Sequence, residues 1–561
     1  MARIELLCLM LGLLLAACAP TAQRSDAEKP PDDWAACRSR ALVPAPSLEA
    51  AVPATTVAIP FGQSHTRSIH ETVLVPDDSD AVEPSFTLSP DDRHVAYITR
   101  DRRNVVLDGL AQSTFDRTAV PLCFSPDSAH LAYVAVTAGR LTMVVDGVAG
   151  KWFDGIDADG PIFSPDSRHL AYWAQEGGRW FVVLDGRELE RHDGFLRWSL
   201  TFSPDGQHLA YAGVDGKTKT VVVDGNPGSP RDGIALGHPH FSPDSRRLAY
   251  IAATGQKLIF SVDGQDFRGD WEGFEASTLR FSPDSRRVGF VARVAPPPGV
   301  SITVGEPGKR AAVIDGQTGP SYDWVGPPVF SADGGRVAYA ASRSPLAAGL
   351  PSLQSEFWVV ADGRPRGPYT ALGDAMPLFT PDGRLVYEAR TEDGWRVVLD
   401  DAADDVFDRL APSQPVLTPD GTHLAYGAQR AGQWMVVVDS TGSGAFDDIG
   451  EGTPVFSPDG RRVAVDAAVG SQWVVVVDGG VWPERYDATL RGTPLFSPDS
   501  RHVLSAVRKG QSQMLVVDGQ AGTEYDTVLP YTGRVHFDAV DCLHYIAIRG
   551  TSWYLVEENL D

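Results

Sequence analysis

Residues 164–172 read Ser164-Pro165-Asp166-Ser167-Arg168-His169-Leu170-Ala171-Tyr172, and the chain repeats this phrase along most of its length. The Ser or Thr that opens it falls at Ser89, Ser125, Ser164, Ser203, Ser242, Ser282, Ser331, Thr380, Thr418, Ser457 and Ser497. Successive copies stand 36 to 49 residues apart, and 39 or 40 apart in six of the ten intervals. A degenerate twelfth copy begins near Phe537. A fixed period near forty residues marks a propeller or a solenoid, because each repeat is one supersecondary unit that buries its apolar face only against its neighbours.

Each unit has four parts. A short apolar strand such as Pro161-Ile162-Phe163 runs into the Ser-Pro-Asp turn, and an alternating stretch such as His169-Leu170-Ala171-Tyr172-Trp173 follows. A β-branched run closing in Asp-Gly comes third, as in Trp473-Val474-Val475-Val476-Val477-Asp478-Gly479, and an aromatic-Asp pair such as Phe153-Asp154 comes fourth. Strand formers fill the runs, turn formers separate them, and helical spacing is absent. Four short strands in about forty residues make one propeller blade. The last unit ends in its third part, at Leu555-Val556-Glu557, while Ser79-Asp80-Ala81-Val82 occupy a fourth-part slot ahead of the first copy. An N-terminal strand that completes the last sheet closes the ring and leaves no edge unpaired. The expected fold is therefore all-β, a β-propeller of twelve four-stranded blades. Twelve exceeds the usual four to eight, so the reading groups them as two tandem six-bladed propellers, residues 66–317 and 318–561. Insertions near 296–309 and 343–355 support that midpoint. A single large ring is the alternative, because Asp315 and Asp323 are spaced like Asp146 and Asp154 and no linker separates the halves.

The phrase Phe-Ser-Pro-Asp-x-Arg-x-Leu/Val-Ala-Tyr resembles the WD40-like (PD40) repeat of TolB-type β-propellers, which also occurs in the propeller domains of prolyl-oligopeptidase relatives. The resemblance spans about 480 residues and implies the fold strongly, but function weakly, since propellers host unrelated activities. The TolB likeness implies an envelope protein or a cell-wall-associated partner. Peptidase activity does not carry over: those relatives hold their nucleophile in a separate hydrolase domain, and this chain has no Gly-x-Ser-x-Gly elbow.

The N-terminus is different in kind. Leu6 to Leu15 form an unbroken apolar run of ten, the size of a signal-peptide core and too short to span a bilayer. The run ends in Leu15-Ala16-Ala17-Cys18, which resembles the lipobox of bacterial lipoproteins. The resemblance implies that residues 1–17 are removed and that Cys18 carries lipid. A plain secretory signal with a cysteine near its cleavage site is the alternative. In a Gram-negative host, Ala19 in place of Asp favours the periplasmic face of the outer membrane. Residues 18–65, rich in Pro and Ala, read as an extended tether.

With 49 Lys and Arg against 73 Asp and Glu, the net charge is −24, which argues against a nucleic-acid partner and favours cationic ones. Much of the acidity belongs to the repeat. One Asp per unit closes the Ser-Pro-Asp turn: Asp91, Asp127, Asp166, Asp205, Asp244, Asp284, Asp333, Asp382, Asp420, Asp459 and Asp499. A second series, such as Asp185 and Asp224, ends the third part, and a third, such as Asp154 and Asp193, lies in the fourth. A residue that recurs in every blade is structural first, since Asp fixes turns by bonding its own backbone.

One slot alternates His (His94, His169, His208) with Arg (Arg247, Arg287, Arg336), which does not suit a metal ligand. The pair His238 and His240 lacks zinc-site spacing, Asp157 to Gly160 only hints at a calcium loop, and Gly216-Lys217-Thr218 imitates the end of a phosphate loop. Trp180, Trp395, Trp434 and Trp473 share a slot and read as blade packing. No cofactor and no metal site are expected. Of five cysteines, Cys8 leaves with the signal, Cys18 takes lipid and Cys123 fits the core, so Cys37 and Cys542 form a candidate disulfide in an oxidising compartment. The function read from these features is a non-enzymatic, lipid-anchored envelope scaffold that binds a protein or ligand. The alternative is a channel enzyme, a hydrolase or lyase using Asp carboxylates or a bound cation, and it requires residues that break the repeat at one place on the ring.

Overall fold

A computed structural model describes residues 67–76, 85–235, 239–255, 257–294, 308–343, 355–373, 376–529 and 533–560. Every regular element among them is a β-strand, gathered into twelve antiparallel sheets. Blade 3 shows the plan. Two short inner segments, Gly155–Ile156 and Ile162–Phe163, both pair with Leu170–Glu176. That strand pairs with Arg179–Leu184, which pairs with the outer strand Arg187–His192. The aromatic-Asp pair is therefore a corner, where the outer strand of one blade ends and the inner strand of the next begins.

Closure follows the expected logic with a different strand. Ser68–Val75 pairs antiparallel with Ser552–Asn559 and supplies the outer strand of blade 12. Residues 79–82, assigned to that role from the repeat, lie outside the described residues. Arg67 Nε donates to the fully buried Glu558 carboxylate at 2.5 Å, and Arg549 and the Tyr525 hydroxyl hold Glu71. The entering strand is fixed by side chains as well as by its ladder.

Twelve blades are present, but they do not divide into two rings of six. The apolar cores lie between blades, and they run unbroken around the molecule. Val291, Ala312 and Tyr322 of blade 6 pack against Tyr339, Trp358 and Val360 of blade 7, in the manner of every other neighbouring pair. Blade 12 packs on blade 1 through Ile546, Trp553 and Leu555 against Val95, Tyr97 and Val106. The boundary expected between residues 317 and 318 is thus an ordinary blade interface, and the circuit closes as one twelve-bladed propeller. The physical reason is local: the corner at Tyr322-Asp323 has the same geometry as those before it, with the Asp323 amide bonded to the Ser342 carbonyl as that of Asp154 is to Gln175.

Neighbouring blades are latched by the repeat phrase itself. His169 stacks on Phe202 and His208 on Phe241 of the following blade, and where the slot holds Arg, Arg247 lies over Phe281 and Arg462 over Phe496. At the closure a polar group replaces this stack. Arg93 pairs with Asp538 at 2.6 Å and Glu557 at 3.0 Å, and His544 bridges Asp538 and the Asp91 carbonyl.

Candidate functional site

The recurring carboxylates are consumed by the fold. In the Ser-Pro-Asp turn, Ser164 Oγ donates to Asp166 Oδ1 at 2.5 Å and accepts the His169 amide, while Asp166 accepts the Arg168 amide. The same pattern recurs at Asp91, Asp205, Asp244, Asp284, Asp333, Asp420, Asp459 and Asp499. Asp382 takes the Thr380 hydroxyl, and Asp127 takes the Ala129 amide. At Asp166, Asp205, Asp244, Asp284, Asp333 and Asp382 the hydroxyl bond to the charged form lowers the carboxyl, and Asp420, with donors from Thr418 and Thr422, is lowered to about 2. The third-part Asp sits in the left-handed region, ahead of Gly except at Asp400 and Asp439, the conformation a two-residue hairpin turn demands. Its carboxylate accepts the first amide of the second strand and pairs with the His/Arg slot, as Asp185 does with Leu170 and His169, or Asp263 with Leu248 and Arg247. His Nδ1 and Arg Nε reach the same oxygen, which explains why the two alternate. The fourth-part Asp caps the opposite hairpin: Asp154 takes the Gly177 amide, Asp193 that of Gly216, and Asp447 that of Gly470.

The other motifs resolve in the same way. Gly216-Lys217-Thr218 is the Asp193-capped hairpin of blade 4. Arg197 approaches Asp157 at 3.4 Å and Asp159 at 3.8 Å, filling the place a cation would take. His238 and the lipidation site Cys18 lie outside the described residues, as does Cys37. Cys123 is a free thiol pushed up to about 12 by burial. Cys542 is disulfide-bonded, and since Cys123 is free its partner lies outside the described residues.

Besides the closure, the repeat is broken in blades 8 to 10. The fourth residue of each second strand faces the neighbouring blade. It is Ile98, Val134, Trp173, Ala212, Ile251, Val291, Ala340, Gly427 or Ala506 in nine blades, and Ile546, fifth in the longer strand of blade 12, takes the same place, but it is Glu388 in blade 8 and Asp466 in blade 10. Both carboxylates are buried. In blade 3 the slot is filled by Trp173, stacked on Phe195 of blade 4 at 4.6 Å, with Trp180 against the same ring at 4.9 Å. In blades 8 and 9 the equivalents are Glu388, Leu410 and Trp395. The smaller pair leaves a cavity of about 520 Å³ lined by Leu372, Gly373, Glu388, Trp395, Arg409, Leu410, Ala411, Pro412, Trp434 and Asp448. Gly427 contributes by omission, since a side chain there would meet Ala411 and Ile449. Arg409 and Asp448 open the inner strands of blades 9 and 10, where blades 3 to 5 have Gly155, Gly194 and Gly233. The cavity therefore opens on the face of the capped hairpins, away from the Ser-Pro-Asp turns.

Two Trp residues assigned to packing thus line an opening. The signal was present in the repeat alignment, as a carboxylate in an apolar column. Asp466 stands two blades beyond Glu388, against Gly450 and bonded by Ser505, and burial pushes its carboxyl up to about 7. Among the described residues no group of three or more His, Cys, Asp or Glu is placed to hold a metal ion.

No protein-family model matches the chain, and no curated protein matches it. Solved structures with a similar fold include a eukaryotic initiation factor, at 15% identity and TM-score 0.31 over 61% of this chain and 95% of the other. TolB from Acinetobacter baumannii is similar at 14% identity and TM-score 0.22, over 57% of this chain and 78% of its own. The β-propeller domain of the Trilobed protease from Pyrococcus furiosus is similar at 12% identity and TM-score 0.21, over 50% and 92%. The assignment of the fold rests on the strand pairing described above.

Proposed function

We propose that this protein is a lipid-anchored binding scaffold of the cell envelope, held to a membrane through Cys18 and presenting the cavity of blades 8 to 10 to an envelope or cell-wall-associated partner. One observation carries the reading. The repeat carboxylates are bound up in turns, while residues of blades 8 to 10 that depart from the repeat border an open, aromatic-walled cavity of ligand-site size. The TolB-like repeat phrase and the lipobox-like N-terminus support the location. Cys37 is the proposed partner of Cys542, which begins the second strand of blade 12 on the Ser-Pro-Asp face. A staple there holds the tether on that face and turns the cavity away from the membrane.

Cross-linking in intact cells, read by mass spectrometry, tests the reading. The expected result is a recurrent envelope protein or cell-wall fragment, lost when Cys18→Ser releases the chain from the membrane fraction. An abundant, folded, membrane-bound protein with no recurrent cross-link would overturn it.

A further inference from the structure

We propose that the cavity between blades 8 and 9 binds a neutral glycan chain, its pyranose faces against Trp395 and Trp434 and its hydroxyls at Arg409 and Asp448. The proposal deepens the scaffold reading and rests on it. Its first support is internal comparison. The two indoles hold the same register position in successive blades, Trp395 opposite Arg390 and Trp434 opposite Gln429. In blade 3 the residue of that slot is covered: Trp180, opposite Gln175, lies against Phe195 at 4.9 Å. In blade 9 Leu410 stands where blade 4 has that ring, and both indoles border the opening. Tyr387 and Phe407 of blade 8 pair with Tyr369 and Tyr426, and neither indole has a ring partner among the described residues. Trp434 rests partly on the core between blades 9 and 10, whereas Trp395 joins none of the buried cores among the described residues. An aromatic face left to water is a large apolar surface available to a ligand.

The polar groups narrow the class. Arg409 and Asp448 are exposed, line the same cavity where blades 3 to 5 have Gly, and make no ion pair among the described residues. A simple cation meets a like charge at Arg409 and a simple anion meets one at Asp448. An apolar ligand covers the indoles but strips water from both charges and returns no hydrogen bond. A pyranose answers each wall. Its hydroxyls accept from the guanidinium and donate to the carboxylate, and its C–H face lies flat on an indole. Two indoles on successive blades suit a chain of linked rings. Glu388, buried in the lining, is already engaged within the protein and is not called on.

The test is calorimetric titration of the full-length protein in a polyoxyethylene detergent, which carries no sugar, with Trp fluorescence read in parallel. Cellotriose and chitotriose are the glycan probes. Sorbitol has hydroxyls without a ring face, cyclohexanol a ring with one hydroxyl, 6-aminohexanoate opposite charges without either, and capped trialanine a peptide backbone. At least one glycan probe is expected to bind about tenfold or more tighter than all four controls. Trp395→Ala and Trp434→Ala should each weaken it by about tenfold, and Arg409→Ala and Asp448→Ala by severalfold. Leu410→Phe, which restores the blade 4 residue, should block the glycan without removing any of these groups. Thermal unfolding of each variant separates a lost site from a lost fold. A control binding as tightly as the glycans, glycan binding indifferent to Trp395→Ala and to Leu410→Phe, or no binding of either glycan by the folded protein would each overturn the proposal. If the glycans fail while a cross-linked partner persists, only the ligand assignment falls. If they bind while no partner is found in cells, the scaffold reading falls and the site stands.

Discussion

At the scale of single residues, the same side chain can be a fastener or an anomaly, and its partners decide which. Asp224 is a fastener. It occupies a left-handed turn position, accepts the Leu209 amide at 2.9 Å and meets His208 at 2.8 Å. Asp224→Ala should cost about 1–3 kcal/mol in chemical denaturation, and Asp224→Asn clearly less, because Asn tolerates the conformation and keeps an acceptor. Asp466 is an anomaly. Its folded pKa stands above its unfolded value, so between about pH 4 and pH 7 the native state binds the extra proton, and stability falls as pH rises through that window. Asp466→Asn should remove the decline, leaving the variant equal to the parent near pH 4 and more stable than it at pH 8 by a few kcal/mol. Asp420 works in the opposite sense: lowered to about 2, it stabilises above its unfolded pKa and loses that contribution as pH falls toward 2. The turn carboxylates were legible from recurrence alone. Glu388 and Asp466 were visible as letters, but their meaning was not, because burial is a property of the neighbouring blade.

At the scale of elements, the ring depends on one strand that is remote in sequence from the sheet it completes. Ser68–Val75 brings Arg67 to Glu558, whose side chain is 0% exposed. Arg67→Met strands that carboxylate and should destabilise by about 3–5 kcal/mol, whereas Arg67→Met with Glu558→Gln should recover a large part of the loss. Equal unfolding midpoints for the single and double variants would show that the pair does not hold the strand. The repeat predicted that an N-terminal strand closes the last blade. It placed that strand at 79–82 because the Asp corner was taken for part of a strand, when the corner is where one blade hands over to the next.

At the scale of the whole molecule, the count of blades followed from the period, and the number of rings did not. Ring size is set by small angles between successive sheets, and no residue encodes such an angle by itself. The unbroken series of cores from blade 1 to blade 12 and back makes one circuit. Small-angle X-ray scattering should therefore show a flattened single ring, and a pair-distance profile with the second shoulder of two tandem lobes would contradict it. On such a ring most of the hairpin face is repetitive, and the cavity of blades 8 to 10 stands out.

The measurement that tests the binding account most directly uses that contrast. A photo-reactive amino acid is placed at position 409, at the cavity, or at position 168, on the opposite turn face, and each protein is irradiated in living cells. The account predicts a discrete adduct of one partner or cell-wall fragment from position 409 and none from position 168. Equal adducts from both positions, or adducts from position 168 alone, would contradict it.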